Sequence, residues 1–143
     1  MEKVTSLCEL EELVRRQSDA DYARLFIRFG TVWLLPDSET GVGTRSGGSG
    51  FHPWVVIEDY REHSPVVLCA LRTTTGGPGP GRLFVLGGVI QGLSENGWIT
   101  VPLRRALPIR LLREYEKGFV ATLPNDVAER LRELIRALPG GSR

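Results

Sequence analysis

Three short apolar runs, parted by chain breakers, constrain this chain most. Gly30-Thr31-Val32-Trp33-Leu34-Leu35 follows Arg28-Phe29. A stretch rich in Gly, Ser and Thr then leads to His52-Pro53-Trp54-Val55-Val56-Ile57. A polar turn precedes Val66-Val67-Leu68-Cys69-Ala70-Leu71-Arg72-Thr73. Runs this short, dense in β-branched and aromatic residues and bounded by Gly, Pro and Ser, read as β-strands rather than helices. His52 stands at the entry of the second run and Arg72 at the exit of the third. The layout predicts a small β-barrel with chemistry or binding at its strand ends.

The remaining elements are read around these strands. Ser6 and Glu9 match a capping box, and Leu7, Leu10, Leu13 and Val14 then fall on one face, which predicts a first helix over 6–17. Ser18-Asp19-Ala20-Asp21 reads as a second cap, opening a short helical turn to residue 25. Strands are expected at 26–35, 53–59, 66–73, 82–86 and 98–103, with a last extended segment at 118–123. Residues 38–50 and the Gly-Pro run at 76–81 read as flexible loops. Pro102 marks an edge position or strand end because it lacks an N–H donor. Pro108 to Leu112 reads as a helical turn. Asn125 reads as the N-cap of a final helix striped with Val127, Leu131, Leu134, Ile135 and Leu138. The 143 residues read as one domain: a helical extension over 1–25, a barrel over 26–123 and a helix over 124–138.

Composition narrows the function classes. Hydrophobic content of 41% and charged content of 24% are those of a soluble globular chain. No apolar run approaches the roughly 20 residues a membrane helix needs. The N-terminus, Met1-Glu2-Lys3-Val4, carries no apolar signal core, so a cytoplasmic protein with no membrane partner is expected. Cys8 and Cys69 lie far apart, without CxxC spacing, and read as two buried thiols rather than zinc ligands. No phosphate-loop, dinucleotide, GxSxG or zinc signature is present, so no cofactor and no metal are expected. Net charge is only +1, but 100–113 holds Arg104, Arg105, Arg110 and Arg113 with no acid. Such a segment is either a solvated face or a patch suited to bidentate phosphate contacts.

The ordered set of segments resembles the MazF/PemK-like (Kid-like) toxins. The residues that carry the resemblance are Gly30 to Leu35 with the Gly-rich loop behind them, His52 to Ile57, Val66 to Thr73, Trp98-Ile99-Thr100-Val101-Pro102-Leu103-Arg104-Arg105-Ala106-Leu107, and the helix from Asn125. The resemblance covers about residues 26–138. It implies an SH3-like barrel, a homodimer, an antitoxin peptide as partner, and metal-independent endoribonuclease action on single-stranded RNA. Two positions depart from the family pattern. His52 stands where the family has Arg before Pro. Arg72 stands where it has Thr or Ser, with Thr73 one residue later, and a one-residue slip in a strand turns a side chain to the other face. The N-terminal helix is an addition.

Cleavage of RNA through its own 2′-OH needs a base, an acid for the leaving 5′-oxygen, and donors for the phosphorane charge. On that scheme His52, Arg72 and Thr73 are the catalytic candidates. His52 acts as acid or base, Arg72 as phosphate ligand and Thr73 as hydrogen-bond donor. Arg45, Trp54, Arg104 and Arg105 are the substrate-binding candidates, with Trp54 stacking on a base while Trp33 and Trp98 pack in the core. The other reading is a catalytically silent MazF-like fold that binds a protein or a nucleic acid.

Overall fold

A computed structural model describes residues 7–42 and 50–138. Ser6 and Arg45, both singled out above, lie outside the described residues. The elements run α1 (Leu7–Phe26), β1 (Thr31–Pro36), α2 (Asp37–Thr40), β2 (Phe51–Val56), β3 (Val66–Thr73), β4 (Arg82–Val85), β5 (Gly97–Pro108), α3 (Ile109–Glu114), a 3-10 turn (Glu116–Gly118), β6 (Phe119–Thr122) and α4 (Asn125–Ala137). The six strands form one curled antiparallel sheet in the order β4-β5-β3-β2-β1-β6. The fold is therefore α+β, as the strand pattern predicts.

Because successive side chains of a strand point to opposite faces, the sheet carries two cores. On one face Trp33, Leu35, Trp54, Val56, Val67, Cys69 and Leu71 meet Ala23 and Ile27 from the α1 end and Ile109, Leu111 and Leu112 of α3. On the other, Val32, Val55, Ala70, Leu83, Val85 and Ile99 meet Val127 and Leu131 of α4. The stripe read from the sequence on the last helix is the stripe that packs, with Leu134, Ile135 and Leu138 partly buried beside it.

Four expectations are corrected. First, α1 is one helix of 20 residues rather than two. Asp19 is not free to cap a second turn, because Arg113 Nη1 (2.8 Å) and Arg110 Nε (3.3 Å) bind its carboxylate. Asp21 is likewise held by Arg24 Nη1 at 2.6 Å. The helix runs on to Phe26, so β1 starts only at Thr31. Gly30 makes the turn at φ +88°, a region costly for any residue with a Cβ. Its N–H donates to Val56 O and its carbonyl accepts from Leu123 N, both at 2.8 Å, which ties β1 to its two neighbours.

Second, residues 37–40 are a helical turn, not loop. The Asp37 N–H donates to Gly50 O (2.8 Å) and its carbonyl accepts from Gly41 N (3.0 Å), so the turn is closed at both ends. Third, β5 is twice as long as expected and passes straight through Pro102. Its pairing with β3 jumps from Leu71↔Thr100 to Ala70↔Arg104, which leaves Val101-Pro102-Leu103 as a bulge where a missing N–H breaks no ladder bond. Cys69 is buried as expected, and burial pushes its thiol far up from the ordinary value. Fourth, Cys8 is exposed on α1, contrary to expectation.

The α1 helix packs Ala23 and Tyr22 against the core and also makes charged contacts with the body. Besides the Asp19 cluster, Arg24 Nε donates to Glu62 Oε2 at 2.7 Å. That hydrogen bond holds the Glu62 carboxyl below its ordinary value of 4.5. A carboxyl lowered in the folded state stabilises it above the unfolded value, and that stabilisation is lost as pH falls through the lowered one. Amide protection factors over residues 22–26, which remove the intrinsic pH dependence of exchange, should therefore fall as pH drops below about 4.5. High salt should mimic the effect because both groups are exposed. Arg24→Gln should remove the step, and an unchanged profile in that variant would refute the assignment.

Candidate functional site

The site is built on the α1-side face of the sheet, at the end of its β1, β2, β3 and β5 strands. Antiparallel register places Leu35 opposite His52, and Trp54 opposite Leu71. The β2–β3 pairing ends at Trp54 and Leu71, and His52 and Thr73 each lie two residues beyond it on the same face. Thr73 in turn pairs with Trp98, and Trp98 with Phe84. Phe84, Trp98 and Thr73 thus form one paired row, and His52 and Leu35 another, at the same end of the sheet and on the same face. The next row inward is Arg82, Thr100, Leu71, Trp54 and Trp33.

His52 has a partner that the sequence reading did not find. Its Nδ1 lies 2.7 Å from Asp37 Oδ1. The Asp37 side chain is fully buried, while that of His52 keeps 31% of its surface exposed. Asp37 Oδ2 has no partner among the described residues. An ionised carboxylate at this distance accepts the Nδ1–H, which leaves Nε2 as the ring nitrogen not engaged by Asp37. A His–Asp pair of this kind can serve proton transfer, with the carboxylate orienting the ring. Asp37 was invisible in sequence because it opens what reads as a Gly-rich loop, fifteen residues before His52. A possible signal was its position directly after Pro36, where Asp is favoured as the first residue of a helical turn.

The cations sort differently from expectation. Arg105 Nη1 donates to Thr40 O, at the other end of the α2 turn from Asp37. His52 and Arg105 are therefore fastened to the two ends of one turn about 6 Å long. Arg104 points to the opposite face, pairing with Ala70 in register and donating to Val101 O at 3.2 Å. Arg110 and Arg113 are spent on Asp19. Thr73 is half-buried, and its hydroxyl donates to Thr75 O at 3.0 Å, leaving its oxygen lone pairs available.

Arg72 does not join His52. It shares a face with Ala70 and Ile99, on the α4 side, and is only 6% exposed. Nη2 donates to the Glu95 carbonyl, while Nε has no partner among the described residues. Burial pushes the guanidinium below its ordinary value, and the Glu95 charge partly offsets this. A Cβ on Gly97 would lie 2.5 Å from Arg72 Nε, so the guanidinium lies flat on the backbone that only glycine leaves bare. Trp54 is also corrected: it is fully buried in the core, one row behind His52, and presents no ring to a ligand. Trp98, expected in the core, is instead half-exposed, its ring 5.1 Å from that of Phe84.

The acids crowding the far end of β2 all have partners. Glu58 accepts from Arg61 (3.1 Å), Asp59 from Phe29 N (3.2 Å) and Glu62 from Arg24. Among the described residues no group of three His, Cys, Asp or Glu is placed to hold a metal ion, and no helix is long and apolar enough to cross a membrane.

A solved structure of MazF from Deinococcus radiodurans superposes on this chain with a TM-score of 0.53, at 20% sequence identity, over 79% of this chain and 96% of that one. No protein-family model matches the chain. No curated protein matches it in sequence. The fold is MazF-like.

The berth of Arg72 generates a test. Gly97→Ala should destabilise the fold by about 1–3 kcal/mol, the usual cost of overpacking a filled site. In an Arg72→Ala background the same change should cost far less, because the clashing guanidinium is gone. Urea melts of the four proteins measure this coupling. Additive effects would mean that Arg72 does not lie on Gly97.

Proposed function

We propose that this protein is an endoribonuclease of the toxin–antitoxin type, cleaving single-stranded RNA through the substrate's own 2′-OH and without a metal. The observation that carries the reading is the His52–Asp37 pair at 2.7 Å, set at the open end of a MazF-like sheet. In this mechanism His52 Nε2 takes the proton from the 2′-OH as that oxygen attacks the adjacent phosphorus. The bond to the 5′-oxygen breaks as that oxygen takes a proton from solvent water, leaving a 2′,3′-cyclic phosphate and a 5′-hydroxyl. Asp37 holds the ring and stabilises the imidazolium that forms. Arg105, which pairs with no carboxylate among the described residues, supplies positive charge to the phosphorane. Thr73, on the same face as His52 and beyond the last β2–β3 pair, accepts hydrogen bonds from the ribose. Arg72 is left with a structural role under the loop before β5. The partners that go with this reading are RNA, an antitoxin peptide and a second copy of the chain, in the cytoplasm.

The second reading, a silent fold that binds a protein or nucleic acid, draws on the departures at positions 52 and 72. One assay separates the two. Purified protein is incubated with a long unstructured RNA in EDTA, and the product ends are mapped. The expected outcome is cleavage that leaves cyclic phosphate ends. His52→Ala should lower the rate by roughly 10²–10⁴-fold. Asp37→Asn should lower it by about 10–100-fold, through loss of ring orientation rather than of the base itself. RNA that is bound but never cut would favour the silent reading.

Assembly as a homodimer is part of the same proposal. Leu7, Leu10, Leu13 and Val14 are 69%, 47%, 46% and 61% exposed on α1, an apolar face that a two-fold partner would cover. Light scattering at tens of micromolar should give twice the 15.8 kDa chain mass. A monomer at that concentration would remove the claim.

A further inference from the structure

We propose that Phe84 and Trp98 form a shelf on which an unpaired base of single-stranded RNA stacks, on the same sheet face as the His52–Asp37 pair and two strands or more from it. The proposal rests on the ribonuclease reading for the identity of its ligand. Its geometry does not depend on that reading.

The two rings lie on adjacent strands, 5.1 Å between centroids and tilted by 60°. Their neighbours along the chain, Leu83, Val85 and Ile99, point to the other face and fill the α4-side core. The sheet therefore gets its burial from one side of β4 and β5 while leaving two aromatic residues on the other. Phe84 is 38% exposed, and β4 is an edge strand, so no further strand shields it. Strand pairing sets Trp98 next to Thr73 and at least two strand spacings, about 10 Å, from His52. Neighbouring nucleotides of one strand can span that separation.

The charge beside the shelf fits an anionic polymer. Arg82 lies on the same face one row inward, opposite Thr100. Its Nη1 donates only to a carbonyl, that of Gly77, at 3.1 Å. It pairs with no carboxylate among the described residues. An aromatic shelf flanked by unpaired cations is the common device for holding single-stranded nucleic acid, because every base offers a π-face and every linkage a negative charge.

The test uses tryptophan emission. Of the three tryptophans, Trp33 and Trp54 are 1% and 0% exposed, so only Trp98 can report a stacked base. The full-length protein carrying His52→Ala, to prevent turnover, is titrated with oligouridylate of about 12 nucleotides, and binding is read in parallel by anisotropy. Saturable quenching is expected. Trp98→Phe should bind within about threefold of the parent without an emission change, since it keeps a ring. Trp98→Leu and Phe84→Leu should each weaken binding by about tenfold, as loss of one stacked base does. Circular dichroism melts confirm that the variants fold. Binding without quenching, Leu variants that bind like the parent, or no binding at all would overturn the shelf. RNA cleavage by the otherwise unsubstituted protein that the Leu variants leave unaffected would sink the shelf and keep the ribonuclease. Quenching in a protein that never cuts RNA would keep the shelf and sink the ribonuclease.

Discussion

Alternation along β3 is the constraint on which the rest of the molecule depends. This strand pairs with β2 on one side and β5 on the other, and its side chains divide strictly between two cores. Val67, Cys69 and Leu71 bind the sheet to α1 and α3, and Ala70 faces α4. A shift of one residue would drive Arg72 into the first core and Leu71 into the second, so two buried faces together lock the register. That lock carries over to the strand ends. Thr73 continues the first face outward to His52, while Arg72 continues the second inward beneath the loop before β5.

The arrangement explains why polar groups here are so unequally satisfied. Arg72 is a buried guanidinium held by one carbonyl, and Gly97 makes the space for it. Asp37 is a buried carboxylate held by one imidazole. A buried ion with a single partner is costly, and the two cases have different explanations. Arg72 has no open side, so its cost is repaid by fixing the loop. The partner of Asp37 is part-exposed, so the same kind of cost goes with an imidazole held in one orientation beside solvent. Only the second arrangement can act on a ligand.

The N-terminal helix is attached differently. Its buried contribution is small, with Ala23 its one buried residue, and ion pairs from Asp19 and Arg24 add to the packing. Its apolar residues at positions 7, 10, 13 and 14 stay largely exposed. In this it differs from α4, which buries its stripe against the sheet.

Local rules sufficed for much of this. Short β-branched runs between Gly and Pro made strands because that composition suits a pleated surface, and β3 runs over 66–73 as read from the sequence. The stripe on the last helix was likewise legible, since a 3.6-residue period needs no tertiary knowledge. His52 was found as a candidate because it stands at a strand entry. What the sequence could not settle depended on partners distant in the chain. Asp19 forgoes capping because Arg113 reaches it from ninety-four positions away. Asp37 becomes the partner of His52 only when β1 and β2 pair. Trp54 and Trp98 carry the same side chain in similar runs, yet one lies at the centre of the sheet and the other beside an edge strand. Their exposure follows from strand order and register, which exist only in the folded sheet.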